Sequence, residues 1–246
     1  MKTISAVAAI VLLFVVTVAA QTAVSIQQSQ RQNAIALKRY EWKSLVQILK
    51  DGEIKSEQLA IVSFARDGNL QTNVVTKTPE PKLPEHGLRG LIAKNKKKEF
   101  MEKIDDLRQL ANAYRDLRPD QMQRFHNEAK VIPEGNLIRM QNHDVLQRGD
   151  SMTMWFDPVK NRQRRVEIET LLDQKTVRIV SEFEAVSESG PTYMARSQIN
   201  YAGSSLIIIT QNFDYTPAKK SGKSGNEIGN SNRGRSNDLP SGQQQW

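Results

Sequence analysis

The sequence predicts an α+β fold, a curved antiparallel sheet of about nine strands covered by one helical block. Three observations carry this. Apolar runs separated by Asp-Gly pairs fill residues 40–76. A stripe with helical spacing runs from Phe100 to Tyr114. A second series of short apolar runs, broken by Gly, Pro and Asp, fills residues 136–215.

The first 20 residues read as a signal peptide. Lys2 supplies a short positive region, Ile4 to Ala20 is an unbroken run of apolar and small residues, and Val18-Ala19-Ala20 is a cleavable end before Gln21. The rival reading is a retained anchor helix, for which the run is somewhat short of the roughly 20 residues a bilayer needs. Cleavage predicts a soluble periplasmic or secreted chain. Export permits disulfides, yet the chain has no cysteine, so its stability is expected to come from a packed core. The formal charge is +8, from 35 basic and 27 acidic residues. That balance suits anionic membrane surfaces or nucleic acid, and export argues against nucleic acid.

Residues 21–217 read as a single β-rich domain. A modest helix within residues 21–39 leads into a strand in which Tyr40, Trp42, Val46 and Ile48 share one parity and Glu41, Lys43 and Gln47 the other. Asp51-Gly52 and Asp67-Gly68 then turn the chain between strands expected near 59–65 and 70–76, a β-meander. Pro79, Pro81 and Pro84 stop the sheet. A helical insertion is expected over 88–131. Phe100, Ile104, Leu107, Ala111 and Tyr114 form its apolar stripe, a helix of about five turns beginning near Lys98. Pro119 opens a second helix, and Pro133 and Gly135 close the block. Further strands are expected near 136–147, 151–157, 163–172, 176–186, 192–202 and 204–215. Asp173-Gln174 reads as a two-residue turn setting Leu172 against Lys175, Arg165 against Glu182 and Glu169 against Arg178, because a longer loop would oppose Glu167 and Glu182. Residues 218–246, rich in Ser, Gly, Asn and Gln, read as a disordered tail.

No motif points to catalysis. His86, His126 and His143 lack metal-ligand spacing, and no G-x-S-x-G elbow or Gly-rich phosphate loop is present. No enzyme activity and no cofactor or metal are therefore expected. The run Lys94-Asn95-Lys96-Lys97-Lys98 reads either as a peripheral contact with anionic lipid headgroups or as a solvated helix start. The apolar side of the sheet would carry Trp42, Met154, Phe156, Ile168, Ile179, Phe183, Tyr193 and Tyr201. Two readings stand for these eight residues, a core closed by the helices and an apolar ligand-binding cleft.

Several segments resemble the superfamily of periplasmic lipoprotein carriers and outer-membrane lipoprotein-sorting proteins. They are Tyr40-Glu41-Trp42 after a short helix, Met152-Thr153-Met154-Trp155-Phe156-Asp157-Pro158, Arg165-Val166-Glu167-Ile168 and Ser181-Glu182-Phe183. The resemblance covers roughly residues 33–76 and 136–217, and the charged block at 88–131 is larger than the family's pattern. It implies an incomplete β-barrel plugged by helices, with an apolar cavity for acyl chains. The expected function is a non-enzymatic periplasmic carrier or binding protein for a lipid, acyl chain or other apolar ligand, with envelope proteins as further partners. The alternative is a structural or interaction module of the envelope with a self-filled core.

Overall fold

Ten antiparallel strands follow one another across one sheet in the order β3-β2-β1-β10-β9-β8-β7-β6-β5-β4. This computed structural model describes residues 26, 28–65, 67–79 and 87–218. The expected signal peptide and all of the expected tail beyond residue 218 lie outside the described residues. The strands are β1 Tyr40–Lys50, β2 Glu53–Phe64, β3 Leu70–Lys77, β4 Lys130–Glu134, β5 Leu137–His143, β6 Ser151–Asp157, β7 Arg162–Leu172, β8 Lys175–Ala185, β9 Thr192–Tyr201 and β10 Leu206–Pro217. Helix α1 (residues 28–37) precedes β1. Helices α2 (Gly87–Arg115) and α3 (Pro119–Glu128) lie between β3 and β4. The sheet is not closed: β3 and β4 are its two edges. The fold is thus α+β, a curved and incomplete barrel.

Every pair of adjacent strands is also consecutive in sequence, except where β1 meets β10; β3 and β4, consecutive in sequence, do not pair. The turns explain why. Asp51 and Gly52, at φ 53° and 82°, close β1 onto β2 with Lys50 opposite Glu53. Asp173 and Gln174, at φ 50° and 60°, set Leu172 against Lys175, Arg165 against Glu182 and Glu169 against Arg178, the register expected from charge. The Arg178 guanidinium nevertheless turns to Glu167, at 3.0 Å. Arg165 bridges Glu167 at 2.5 Å and Glu182 at 3.4 Å.

Three expectations need correction. The tenth strand is β4: Pro133 and Gly135 do not merely close the helical block. Gly135 at φ 63° turns β4 onto β5 with Glu134 opposite Leu137, and Pro133 is tolerated because an edge strand needs donors on one side only. The strand expected over 136–147 stops at His143, since residues 144–150 wind around the Asp150 carboxylate. That group accepts from the backbone N–H of Val145, Leu146 and Gln147 at 2.7–2.9 Å. Helix α2 begins at Gly87, not near Lys98, and its 29 residues make about eight turns where five were expected. The lysine run therefore lies beyond the first turn, where the unfavourable helix-dipole effect has faded.

The core lies between the sheet and the helices. Ile104, Leu107 and Tyr114 of α2 are buried against Ile48, Met152, Ile168, Val177, Ile179, Tyr201, Leu206 and Ile208, and Phe125 of α3 joins Met140 in the same cluster. Polar groups fix the helix over the sheet. The Tyr114 hydroxyl bonds Asp150 and Thr170, and Lys103 reaches Asp173 in the β7–β8 turn at 2.5 Å.

Candidate functional site

The eight residues expected to line an apolar cleft divide into two groups. Met154, Phe156, Ile168, Ile179 and Tyr201 are buried in the main core, with Phe183 packed half-buried against it. Trp42 and Tyr193 belong to a separate row of rings. Trp42 stacks on Tyr215 with centroids 5.2 Å apart and planes 6° from parallel. Phe64 lies 5.8 Å from Trp42, and Tyr193 lies 4.1 Å from Tyr215. All four rings are half-buried.

The row arises from local backbone features. Strand β10 carries a bulge opposite Trp42: Lys43 pairs Phe213, yet Glu41 pairs Thr216, and Asp214 adopts φ 55°. The extra residue lets Tyr215 meet the Trp42 ring. Without the bulge, alternation would pair Phe213 and Tyr215 on one face, so sequence periodicity missed Tyr215. Phe64 was legible only as the end of a strand. Burial, and then the neighbouring Tyr193, raise the Tyr215 hydroxyl well above its ordinary pKa. The Tyr193 hydroxyl is raised by burial and by Glu184, to which it donates at 3.3 Å.

Helix α1 flanks this end of the sheet. Its Asn33 bonds both backbone groups of Thr192, at 2.5 and 2.7 Å. Gln30 bonds Gln163 at 2.9 Å, and Ser29 donates to the Asn161 carbonyl at 2.8 Å. Among the grooves of the described surface are two that none of the eight residues lines. One, of about 530 Å³, lies among Lys160, Arg162, Arg164, Ala185, Ser187 and Glu188. The other, of about 670 Å³, lies over β1–β3 among Glu41, Ile61, Ser63, Gln71, Thr72 and Asn73.

The histidines are separated by the fold. His126 is buried on α3, where burial lowers its pKa to about 4, and neither ring nitrogen has a hydrogen-bond partner among the described residues. His143 is exposed at the end of β5. His86 lies outside the described residues. Among the described residues no three His, Asp or Glu side chains gather as metal ligands, and no helix is long and apolar enough to cross a membrane. The charges of β7 and β8 form ion pairs with one another rather than an acid–base pair in a cleft.

No protein-family profile matches the chain. No curated protein matches it either. Among solved structures, a DUF1329 family protein from Desulfovibrio piger aligns over 88% of this chain and 95% of its own, with 9% identity and a TM-score of 0.38. A LolA superfamily protein from Nitrosomonas europaea aligns over 80% of this chain and 94% of its own, with 9% identity and a TM-score of 0.35.

Proposed function

We propose that this chain is a non-enzymatic periplasmic carrier or binding protein for a lipid, acyl chain or other apolar ligand. The supporting observation is the half-buried row Phe64–Trp42–Tyr215–Tyr193 at one end of an unclosed sheet. Four adjoining rings bring a large apolar area to one place, and apolar surface gathered in this way favours an apolar partner. On this reading the ligand engages Trp42 and Tyr193, and the buried Met154, Phe156, Ile168, Ile179 and Tyr201 belong to the core. The export signal read in residues 1–20 supports the compartment.

A second reading is favoured by a specific observation. Met154, Phe156, Ile168, Ile179 and Tyr201 are each no more than 7% exposed, which suits an envelope module with a self-filled core. A calorimetric titration of the delipidated, folded chain with 1-decanol separates the two. Ten buried carbons at about 0.8 kcal/mol each set the scale near −8 kcal/mol, a micromolar dissociation constant. Saturable binding of that order supports the carrier. No saturable heat removes it and leaves the module.

A further inference from the structure

We infer that the groove between the β6–β7 and β8–β9 turns holds the anionic head, a phosphate or carboxylate, of an amphiphile whose chain lies on the aromatic row. This rests on the carrier reading and assigns the ligand's polar part.

The topology places the two features together. In an antiparallel meander, the starts of β1, β7 and β9 and the ends of β2, β6, β8 and β10 lie at one end of the sheet. The groove residues Lys160, Arg162, Ala185 and Glu188 occupy that end, as do Trp42, Phe64, Tyr193 and Tyr215. Gly190, whose carbonyl holds Arg162 at the groove, is three steps along the chain from Tyr193, at most about 11 Å. Helix α1 spans the two regions, bonding Asn161 beside Lys160 and Thr192 beside Tyr193.

The groove's charge is basic and partly uncompensated. It brings together Lys160, Arg162 and Arg164 with one carboxylate in its lining, Glu188. Arg164 is paired with Asp157 at 3.3 Å. Arg162 is held differently: its guanidinium donates to the backbone carbonyls of Glu188 and of Gly190, the latter at 3.1 Å. Neutral acceptors fix its orientation without cancelling its charge. Both carbonyls are held by the Nη2 hydrogens, so Nε–H and the Nη1 hydrogens remain to donate single charge-assisted bonds to a phosphate or carboxylate oxygen. The Lys160 side chain is exposed beside it and adds a second positive charge, shared in part with Asp157. The groove is an open surface depression of about 530 Å³, roomy enough for a phosphate or carboxylate head. The bland alternative, a solvated basic turn, predicts no preference for an anionic head.

The test compares decyl phosphate, decanoate, 1-decanol and inorganic phosphate on the delipidated full chain by calorimetry. Decyl phosphate and decanoate should bind at least tenfold more tightly than decanol at low salt, and the difference should shrink in salt. Lys160→Gln and Arg162→Gln should each weaken decyl phosphate three- to tenfold and leave decanol unchanged, with Arg162→Lys restoring part of the loss. Lys160→Gln guards against a folding effect of removing the Arg162 contacts. Equal affinity for decyl phosphate and decanol overturns the head-group site and leaves the carrier reading standing. Failure of all three amphiphiles overturns both. Inorganic phosphate binding as tightly as decyl phosphate overturns the amphiphile in favour of a free-phosphate site.

Discussion

The Tyr114 hydroxyl of α2 meets the Asp150 carboxylate at 2.5 Å, a buried bond joining the covering helix to the loop between β5 and β6. Asp150 is 1% exposed and also accepts three backbone N–H groups of its own loop. Removing the hydroxyl in Tyr114→Phe takes away a hydrogen bond to a charged group, expected to cost about 1.5–3 kcal/mol. Asp150→Ala also strands three backbone donors, one buried and two part-buried, and should cost more. Urea unfolding measures both, and equal stability of Tyr114→Phe and the parent would refute the latch.

His126 makes stability pH-dependent. Its pKa is about 4 in the folded chain, against an ordinary 6.5, because burial disfavours the imidazolium. The unfolded chain therefore binds a proton that the folded chain does not between those values. The contribution is fully present above pH 6.5 and is lost as pH falls toward 4, on the order of 3 kcal/mol in all. His126→Phe should flatten the urea midpoint over this window. An unchanged slope would show that other groups carry it.

The β7–β8 turn can be improved. Gln174 holds φ 60°, a left-handed conformation that costs a side-chain-bearing residue about 1 kcal/mol. Gln174→Gly should raise stability by about 0.5–1 kcal/mol without altering the Leu172–Lys175 register. Thermal and urea melts read the gain. A loss would mean that the Gln174 side chain is held by contacts that outweigh backbone strain.

The aromatic row makes a prediction about decanol. Tyr215→Ala removes the stacked partner of Trp42 and should weaken binding by up to about tenfold, the worth of one aromatic contact. Trp42→Ala should do at least as much. Ile179→Lys is not an informative test, since Ile179 is 3% exposed and a buried charge would unfold the chain. Calorimetry on folded variants decides, and unchanged affinity in both would move the ligand elsewhere.

The parts of the fold legible in the sequence were those governed by short-range chemistry. Asp51-Gly52 and Asp173-Gln174 announce their turns, and the spacing of Phe100, Ile104, Leu107, Ala111 and Tyr114 marks the covering face of α2. Asp150 was illegible, because a carboxylate wrapped by its own loop has no periodic signature. So was Tyr215, because a one-residue bulge at Asp214 alters which face an aromatic occupies. For the site, Trp42 and Tyr193 were found as aromatics of a sheet. Their separation from Met154 and Ile179 required the sheet's register and the path of the helices.

The pairing of β1 with β10 has a consequence for biogenesis. Glu41 and Thr216 stand 175 residues apart yet meet in the middle of the sheet. The amino-terminal β1–β2–β3 meander, entering its compartment first, precedes its central neighbour β10 by more than a hundred residues of chain. Until then β1 presents an unpaired edge bearing Trp42, Val46 and Ile48. Loop closure over this span also makes the β1–β10 seam a slow step in folding. The nascent chain therefore passes through a long interval in which its own last strand competes with any other β-rich chain for the same edge, and a holding chaperone that masks β1 would raise the yield of native protein more than one acting on the β5–β9 meander.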